Sequence, residues 1–222
     1  MRLPAPRAIL FDLDGTLADT APDLAGALNK IRATKGLPPT PYALLRPFAS
    51  AGARGLIGAG FDMRPDDEGY EDLRVAFLDH YAAALVIESR LFDGIDTLLQ
   101  DLREKNLAWG IVTNKAARFT DRLVPMIGGL HNAGCIISGD TTDHAKPHPA
   151  PLLEAAKRLG LAPADCWYVG DDLRDIDAGK AAGMTTIAAG WGYCGHAEPG
   201  TWNADRLVDT PAALQKLIEY SC

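Results

Sequence analysis

The chain is poor in cysteine. The four it has (Cys135, Cys166, Cys194 and Cys222) form neither a CxxC pair nor a zinc-finger spacing. Nothing supports a disulfide-built scaffold, and reduced thiols in a cytoplasmic protein are the plain reading. No apolar run reaches the ~18 residues of a membrane span. The run Ala8-Ile9-Leu10-Phe11 ends at Asp12 and is too short for a secretion signal. Cations are the minority charge: 22 Lys and Arg against 29 Asp and Glu give a net charge of -7. Such a chain is a poor partner for nucleic acid or an anionic membrane, and an anionic substrate would need locally placed cations. Internal repeats and low-complexity tracts are also missing. What remains, 47% hydrophobic and 23% charged residues, is the balance of a soluble globular protein. It suits a monomer and a homodimer equally. A length of 222 residues suggests one full α/β domain with a sizeable insertion, or two small domains.

Ala8 to Phe11, closed by Asp12 and Gly15, reads as a buried strand running into a loop. Residues 109–112, 135–137, 167–169 and 185–189 read the same way. Between them lie helical spacings: Ile95, Leu98, Leu99 and Leu102, then Leu152, Leu153, Ala156 and Leu159. Thr210-Pro211 is an N-cap followed by proline at the first helical position. This alternation predicts a doubly wound (Rossmann-like) parallel sheet with helices on both faces. Residues 20–88 break it. There Leu24, Leu28 and Ile31 share one helical face, with Gly36 as C-cap, and Leu73, Phe77, Tyr81 and Leu85 recur every four residues as an apolar core stripe. Prolines 38, 39, 41 and 65 punctuate linkers. A helical module is therefore expected after the first strand, leaving near residues 90–94.

Acidic residues stand directly after two of the strands. Asp12-Leu13-Asp14-Gly15-Thr16 puts two carboxylates past the first, where open α/β sheets place their sites. Close carboxylates repel unless a cation lies between them or one is protonated. Residues 169–177 (VGDDLRDID) repeat the pattern. Helix capping accounts for Asp172 or Asp175 but less well for Asp171. If both strands are central, Asp12, Asp14 and Asp171 converge, and hard carboxylate oxygens suit Mg²⁺. After a third strand come Val112-Thr113-Asn114-Lys115, where a hydroxyl and a backbone N–H can hold a phosphate oxygen. Lys146-Pro147 precedes a helix and, alone, reads as an exposed lysine.

Together, in this order, these segments resemble the four motifs of the haloacid-dehalogenase superfamily of phosphohydrolases, over nearly the whole chain. The match rests on DLDGT at 12–16, the Thr113 loop, Lys146-Pro147 and GDDLRD at 170–175. The resemblance implies a catalytic core of residues 1–16 and 92–222 and a helical cap of residues 17–91 that sets specificity. It implies Asp12 as the nucleophile that forms an aspartyl-phosphate and Asp14 as the acid, then base. Thr113 and Lys146 would bind the transferring phosphoryl group, with Thr16 and Asn114 helping to bind substrate. Mg²⁺ would sit on Asp12, the backbone carbonyl of Asp14, and Asp171. Asp175 would support the metal site or position Lys146 from behind, and Asp172 would compete with Asp171 as a ligand. Dehalogenases of the superfamily lack an acid at position 14, so Asp14 points to ester hydrolysis, in which a poor alkoxide leaving group needs a proton.

The pattern is most like the phosphoglycolate phosphatase group. Residues 50–54, 89–94, 109–115, 170–176 and 202–211 are similar to the phosphatases of bacterial cell-wall recycling that act on N-acetylmuramic acid 6-phosphate. The implied substrate is a small phosphorylated metabolite, either the two-carbon acid or the lactyl amino sugar. Rival readings are a phosphomutase or phosphotransferase using the same intermediate, and a non-catalytic binding module. Arg54, among the glycines of a cap loop, is expected either to pair with a substrate carboxylate or to be a solvated helix arginine. Residues 191–196 (WGYCGH) are expected to stack on a sugar or, slightly preferred, to form a mobile surface loop with one packed tryptophan. His144 and His148 read as loop residues, since Pro147 argues against a helix there.

Overall fold

The computed structural model describes residues 2–195 and 197–221; His196 and Cys222, both named above, lie outside the described residues. The chain opens with β1 (Ala8–Phe11), then a two-residue strand β2 (Ala18–Asp19). Four helices follow: α1 (Ala21–Thr34), α2 (Tyr42–Leu45), α3 (Gly52–Phe61) and α4 (Tyr70–Ala83). The chain returns through β3 (Arg90–Leu91), antiparallel to β2, with Ala18 opposite Leu91 and Asp19 opposite Arg90. From there strand and helix alternate: α5 (Ile95–Glu104), β4 (Ala108–Val112), α6 (Ala117–Met126), β5 (Ile136–Ile137), α7 (Ala150–Arg158), β6 (Cys166–Gly170), α8 (Leu173–Ala181) and β7 (Thr185–Ala189). An edge strand β8 (Arg206–Val208) and helix α9 (Pro211–Ser221) complete the described chain.

The six-stranded sheet is parallel throughout, in the order β5-β4-β1-β6-β7-β8. Its central strands read as unbroken apolar runs because both faces are covered. Alternate residues of β1 show this: Ile9 and Phe11 join the core that includes α5 and α9, whereas Ala8 and Leu10 pack with Leu152, Ala155 and Ala178 of α7 and α8. The chain winds from β1 toward β5, then crosses back to β6 on the other side of β1. The loops that leave β1 and β6 thus flank a topological switch point, where an open sheet leaves a crevice.

The insertion between β2 and β3 packs α1 on α4 around Leu73, Phe77, Tyr81 and Leu85, all buried, which is the stripe the sequence shows. The α3 helix comes so close to α1 that a Cβ on Gly60 would sit 2.4 Å from Leu28 Cδ2. Thr210 caps α9 by accepting from the Ala213 N–H at 3.1 Å. Among the described residues no helix is long and apolar enough to cross a membrane.

Candidate active site

The loop after β1 brings Asp12 to the carboxyl end of the sheet, beside Asp171 at the end of β6 and Asp175 in the first turn of α8. One carboxylate oxygen from each lies within 4.8 Å of the others, and all three residues are buried. The tight approach depends on two glycines. Gly15 has φ +93°, a conformation L side chains rarely adopt, and a Cβ there would meet Asp171 Oδ2 at 2.2 Å. A Cβ on Gly192 would lie 2.2 Å from that of Asp171.

Lys146 reaches into the cluster from the loop before α7. Its ammonium donates to the Val112 carbonyl (2.9 Å), the Tyr168 hydroxyl (2.8 Å) and Asp175 Oδ1 (2.7 Å), and Asp12 Oδ1 stands 2.9 Å away. Four oxygens share three protons, and Asp12 Oδ1 is the buried oxygen left without a hydrogen bond. Asp175 is spent inside the protein: Oδ1 also accepts from the Tyr168 hydroxyl, and Oδ2 accepts from the Asp172 N–H. Asp171 accepts from the Thr16 hydroxyl (2.9 Å), the Ser50 hydroxyl (3.0 Å) and the Tyr193 N–H (3.0 Å).

Three buried carboxylates against one ammonium leave excess negative charge. Burial pushes the Asp12 carboxyl up to about 7; Lys146 pulls it down, while Asp175 and Asp14 push it further up. Burial likewise raises Asp171 to about 8, with Asp12 and Asp175 adding to the rise and the Tyr193 and Thr16 hydrogen bonds opposing it. For Lys146, burial favours the neutral amine, but Asp12 and Asp175 outweigh it and hold the ammonium above its ordinary value. A compact, all-oxygen, net-negative cluster with one buried oxygen unbonded fits a hard dication such as Mg²⁺.

Asp14 points elsewhere. Its Oδ1 accepts from the Thr20 hydroxyl and pairs with Lys115 Nζ at 2.9 Å. Lys115 also lies over the Tyr81 ring of α4, 4.8 Å from its centroid, so it joins the sheet loop to the insertion. Thr113 is buried, and its hydroxyl oxygen accepts the Lys115 N–H, which leaves the hydroxyl proton free to donate. Asn114 holds the backbone of Lys146 at both ends, accepting from its N–H and donating to its carbonyl, each at 2.9 Å.

These groups line a cavity of about 300 Å³ between the sheet loops and the insertion. Asp12, Asp14, Thr113, Asn114, Lys146, Asp172 and Asp175 are on its wall, opposite Leu24, Phe77, Leu78 and Tyr81 from the insertion. Thr16 is not on the wall; its hydroxyl supports Asp171 from beneath. Asp172 caps α8 and accepts two parallel bonds from one guanidinium edge of Arg174, from Nε at 2.7 Å and Nη2 at 2.9 Å, so it stands outside the acidic cluster.

Arg54 lies away from this cavity. It is exposed and borders a separate depression with Gly58, Ala59, Met63 and Arg64. The turn of α3 directs Ala51, Gly52 and Ala53 at the cavity and the next residue outward.

The loop after β7 is not a loose surface loop. Trp191 donates its indole N–H to the Thr16 carbonyl (3.0 Å), and Tyr193 is buried. The Tyr193 hydroxyl accepts from the Thr20 and Ala21 N–H groups and donates to Asp19, capping α1 from across the fold. His144 and His148 meet ring to ring in a loop, 4.5 Å apart. Sequence reasoning missed Lys115, Ser50, Tyr193 and Arg174 as site residues. All four lie within segments the sequence singles out, Lys115 as the cation ending the Thr113 motif and Arg174 inside GDDLRD, but nothing in those segments assigned these side chains a role.

Comparison with known proteins gives a consistent result. The family model described as haloacid dehalogenase-like hydrolase matches residues 9–189. The chain is 43% identical to the N-acetylmuramic acid 6-phosphate phosphatase of Pseudomonas putida over 215 residues, covering 96% of both chains. It is 45% identical to a phosphoglycolate phosphatase of Xanthomonas campestris over 210 residues, 94% of this chain and 95% of the other. Among solved structures, a predicted phosphoglycolate phosphatase from Haemophilus somnus superposes with a TM-score of 0.84 at 26% identity, over 96% of this chain and 97% of that one. CbbY of Rhodobacter sphaeroides, solved with phosphate, gives a TM-score of 0.74 at 26% identity over 94% and 96% of the two chains.

Proposed function

Because the chain belongs to the haloacid dehalogenase-like hydrolase family and is a phosphoric monoester hydrolase, we propose that Asp12 is its nucleophile and that residues 17–91 form the cap over its substrate. The observation that carries this reading is the convergence of Asp12, Asp14, Thr113 and Lys146 on one cavity. A carboxylate oxygen of Asp12 attacks phosphorus, the ester P–O bond breaks, and an aspartyl-phosphate forms. Asp14 gives a proton to the departing alkoxide oxygen and then takes one from water. The water oxygen attacks the same phosphorus, which releases phosphate and restores the Asp12 carboxylate. The free hydroxyl proton of Thr113 and the ammonium of Lys146 offset charge on the phosphoryl oxygens. Asp175, Tyr168 and Asn114 keep Lys146 in place. Thr16, Tyr193 and Ser50 do the same for Asp171. Mg²⁺, held by Asp12, Asp171 and the backbone carbonyl of Asp14, would supply further positive charge at the phosphoryl group.

The substrate is a small phosphorylated acid, phosphoglycolate or N-acetylmuramic acid 6-phosphate, the esters named for the two relatives. The apolar wall of Leu24, Phe77, Leu78 and Tyr81 gives a sugar ring something to pack on and favours the amino-sugar ester. Phosphate release from both esters and an aryl phosphate, with Mg²⁺ and with chelator, tests the assignment. Asp12→Asn is expected to lower turnover about a thousandfold or more. Undiminished turnover in that variant, or turnover indifferent to chelator, refutes the mechanism.

A further inference from the structure

Charge balance inside the cavity singles out one residue. Five cationic side chains line it: Arg74, Lys115, Arg118, Lys146 and Arg174. Four have a carboxylate partner within the protein. Arg74 makes a two-pronged bond to Glu71, at 2.7 and 2.6 Å, and Arg174 holds Asp172 in the same way. Lys115 pairs with Asp14, and Lys146 with Asp12 and Asp175. Arg118, at the start of α6, has no carboxylate within ion-pair distance among the described residues. Its guanidinium lies over the ring of Phe119, 4.7 Å from the centroid. Phe119 is buried and itself lines the cavity, so the guanidinium has a fixed support at the cavity wall.

We propose that Arg118 is the specificity residue that reads a carboxylate on the substrate, at the end of the molecule away from the phosphoryl group. The proposal rests on the phosphatase reading above and deepens it, by assigning the residue that recognises the carboxylate of a phosphorylated acid. The chemistry matches. A guanidinium offers two parallel N–H donors spaced for the two oxygens of a carboxylate, and one braced on an aromatic face has little freedom left to lose on binding. The end of the cavity at Asp12, Thr113 and Lys146 takes the phosphoryl group. Space remains in about 300 Å³ for the rest of the ester to extend toward α6. The carboxylate role that was one of two readings of Arg54 thus falls to an exposed residue of α6, five positions after Thr113.

The test is Arg118→Gln, with Arg118→Lys beside it, assayed on 2-phosphoglycolate, N-acetylmuramic acid 6-phosphate and an aryl phosphate without a carboxylate. Arg118 is exposed, so neither variant removes a core side chain. The quantity read is the ratio of kcat/KM for each acid to that for the aryl ester. In Arg118→Gln this ratio falls about ten- to a hundredfold, the range for one charge-assisted bond, mainly through KM. Arg118→Lys recovers part of it, since charge is kept and the fork is lost. A ratio within about twofold of the parent's in Arg118→Gln overturns the proposal, as does an equal loss on all three esters. A parent enzyme that releases phosphate from none of them refutes the phosphatase reading, and this inference with it.

Discussion

Tyr193→Phe removes one oxygen and leaves the ring. That ring keeps its contact with Phe92, 6.2 Å between centroids, and its place beneath the Arg46 guanidinium at 5.0 Å. What is lost is the hydroxyl that accepts from the Thr20 N–H at 2.8 Å and the Ala21 N–H at 2.9 Å. These donors begin α1, whose N-cap residue Thr20 makes no side-chain capping bond of its own. Both Thr20 and Ala21 are buried, so water does not readily replace the oxygen. Each stranded buried donor costs roughly 1–3 kcal/mol; for two in one helical turn about 2–4 kcal/mol is a fair total. Unfolding entropy near the midpoint is about 2.1 cal/mol/K per residue, or ~0.47 kcal/mol/K for a chain of 222 residues. The melting temperature should therefore fall by about 4–9 °C, read by calorimetry or circular dichroism at fixed Mg²⁺. A fall under about 1 °C would show that the hydroxyl does not cap the helix and would refute the reasoning.

Two further predictions concern the acidic cluster. Gly192→Ala places a methyl 2.2 Å from Asp171 Cβ and 2.5 Å from the Gly15 carbonyl oxygen. It should weaken Mg²⁺ binding about tenfold or more, measured by the Mg²⁺ dependence of the melting temperature, and an unchanged dependence would contradict this. Asp12 and Asp171 sit at about 7 and about 8 instead of an ordinary 3.8. Between those limits the metal-free folded protein binds more protons than the unfolded chain, so its stability falls as pH rises through that window, and the full repulsion is felt above it. Mg²⁺ should therefore raise the melting temperature more at about pH 8.5 than at about pH 5.5; an equal or larger rise at the lower pH would sink the idea.

The sheet was readable because its central strands are covered on both faces and so appear as bare apolar runs. β8 was not, because its Leu207 is exposed and an edge strand has no such run. The ribbon β2–β3 has two residues per strand, shorter than any periodicity. At the site, Asp12, Asp171 and Thr113 were legible because each directly follows a strand, whereas Lys146, in the loop before α7, reads alone as an exposed lysine and gains meaning only from the order of the four motifs. The choice between the two readings of Arg54 was not legible, because facing direction depends on the rotational phase of α3; the structure places it as an exposed helix arginine. That phase is set by the 3₁₀ turn of residues 46–51, which no pattern in the sequence announces. Tyr193 and Ser50 reach the site from distant segments, at separations of 22 and 121 residues from Asp171, and only the folded topology brings them there.

The ribbon β2–β3 has a bearing on how such enzymes diversify. Seventy-odd residues leave and rejoin the core through positions paired side by side, Asp19 opposite Arg90. Residues so paired have Cα atoms only about 4.5–5.5 Å apart, a gap that a two-residue hairpin turn spans. Excision of the helices, or a graft of others in their place, would strain neither the strand that carries Asp12 nor the one that carries Asp171. On the proposed reading of the insertion as a cap, the same hydrolytic engine can thus be given a new roof, and with it a new clientele, by a recombination event that never touches the sheet.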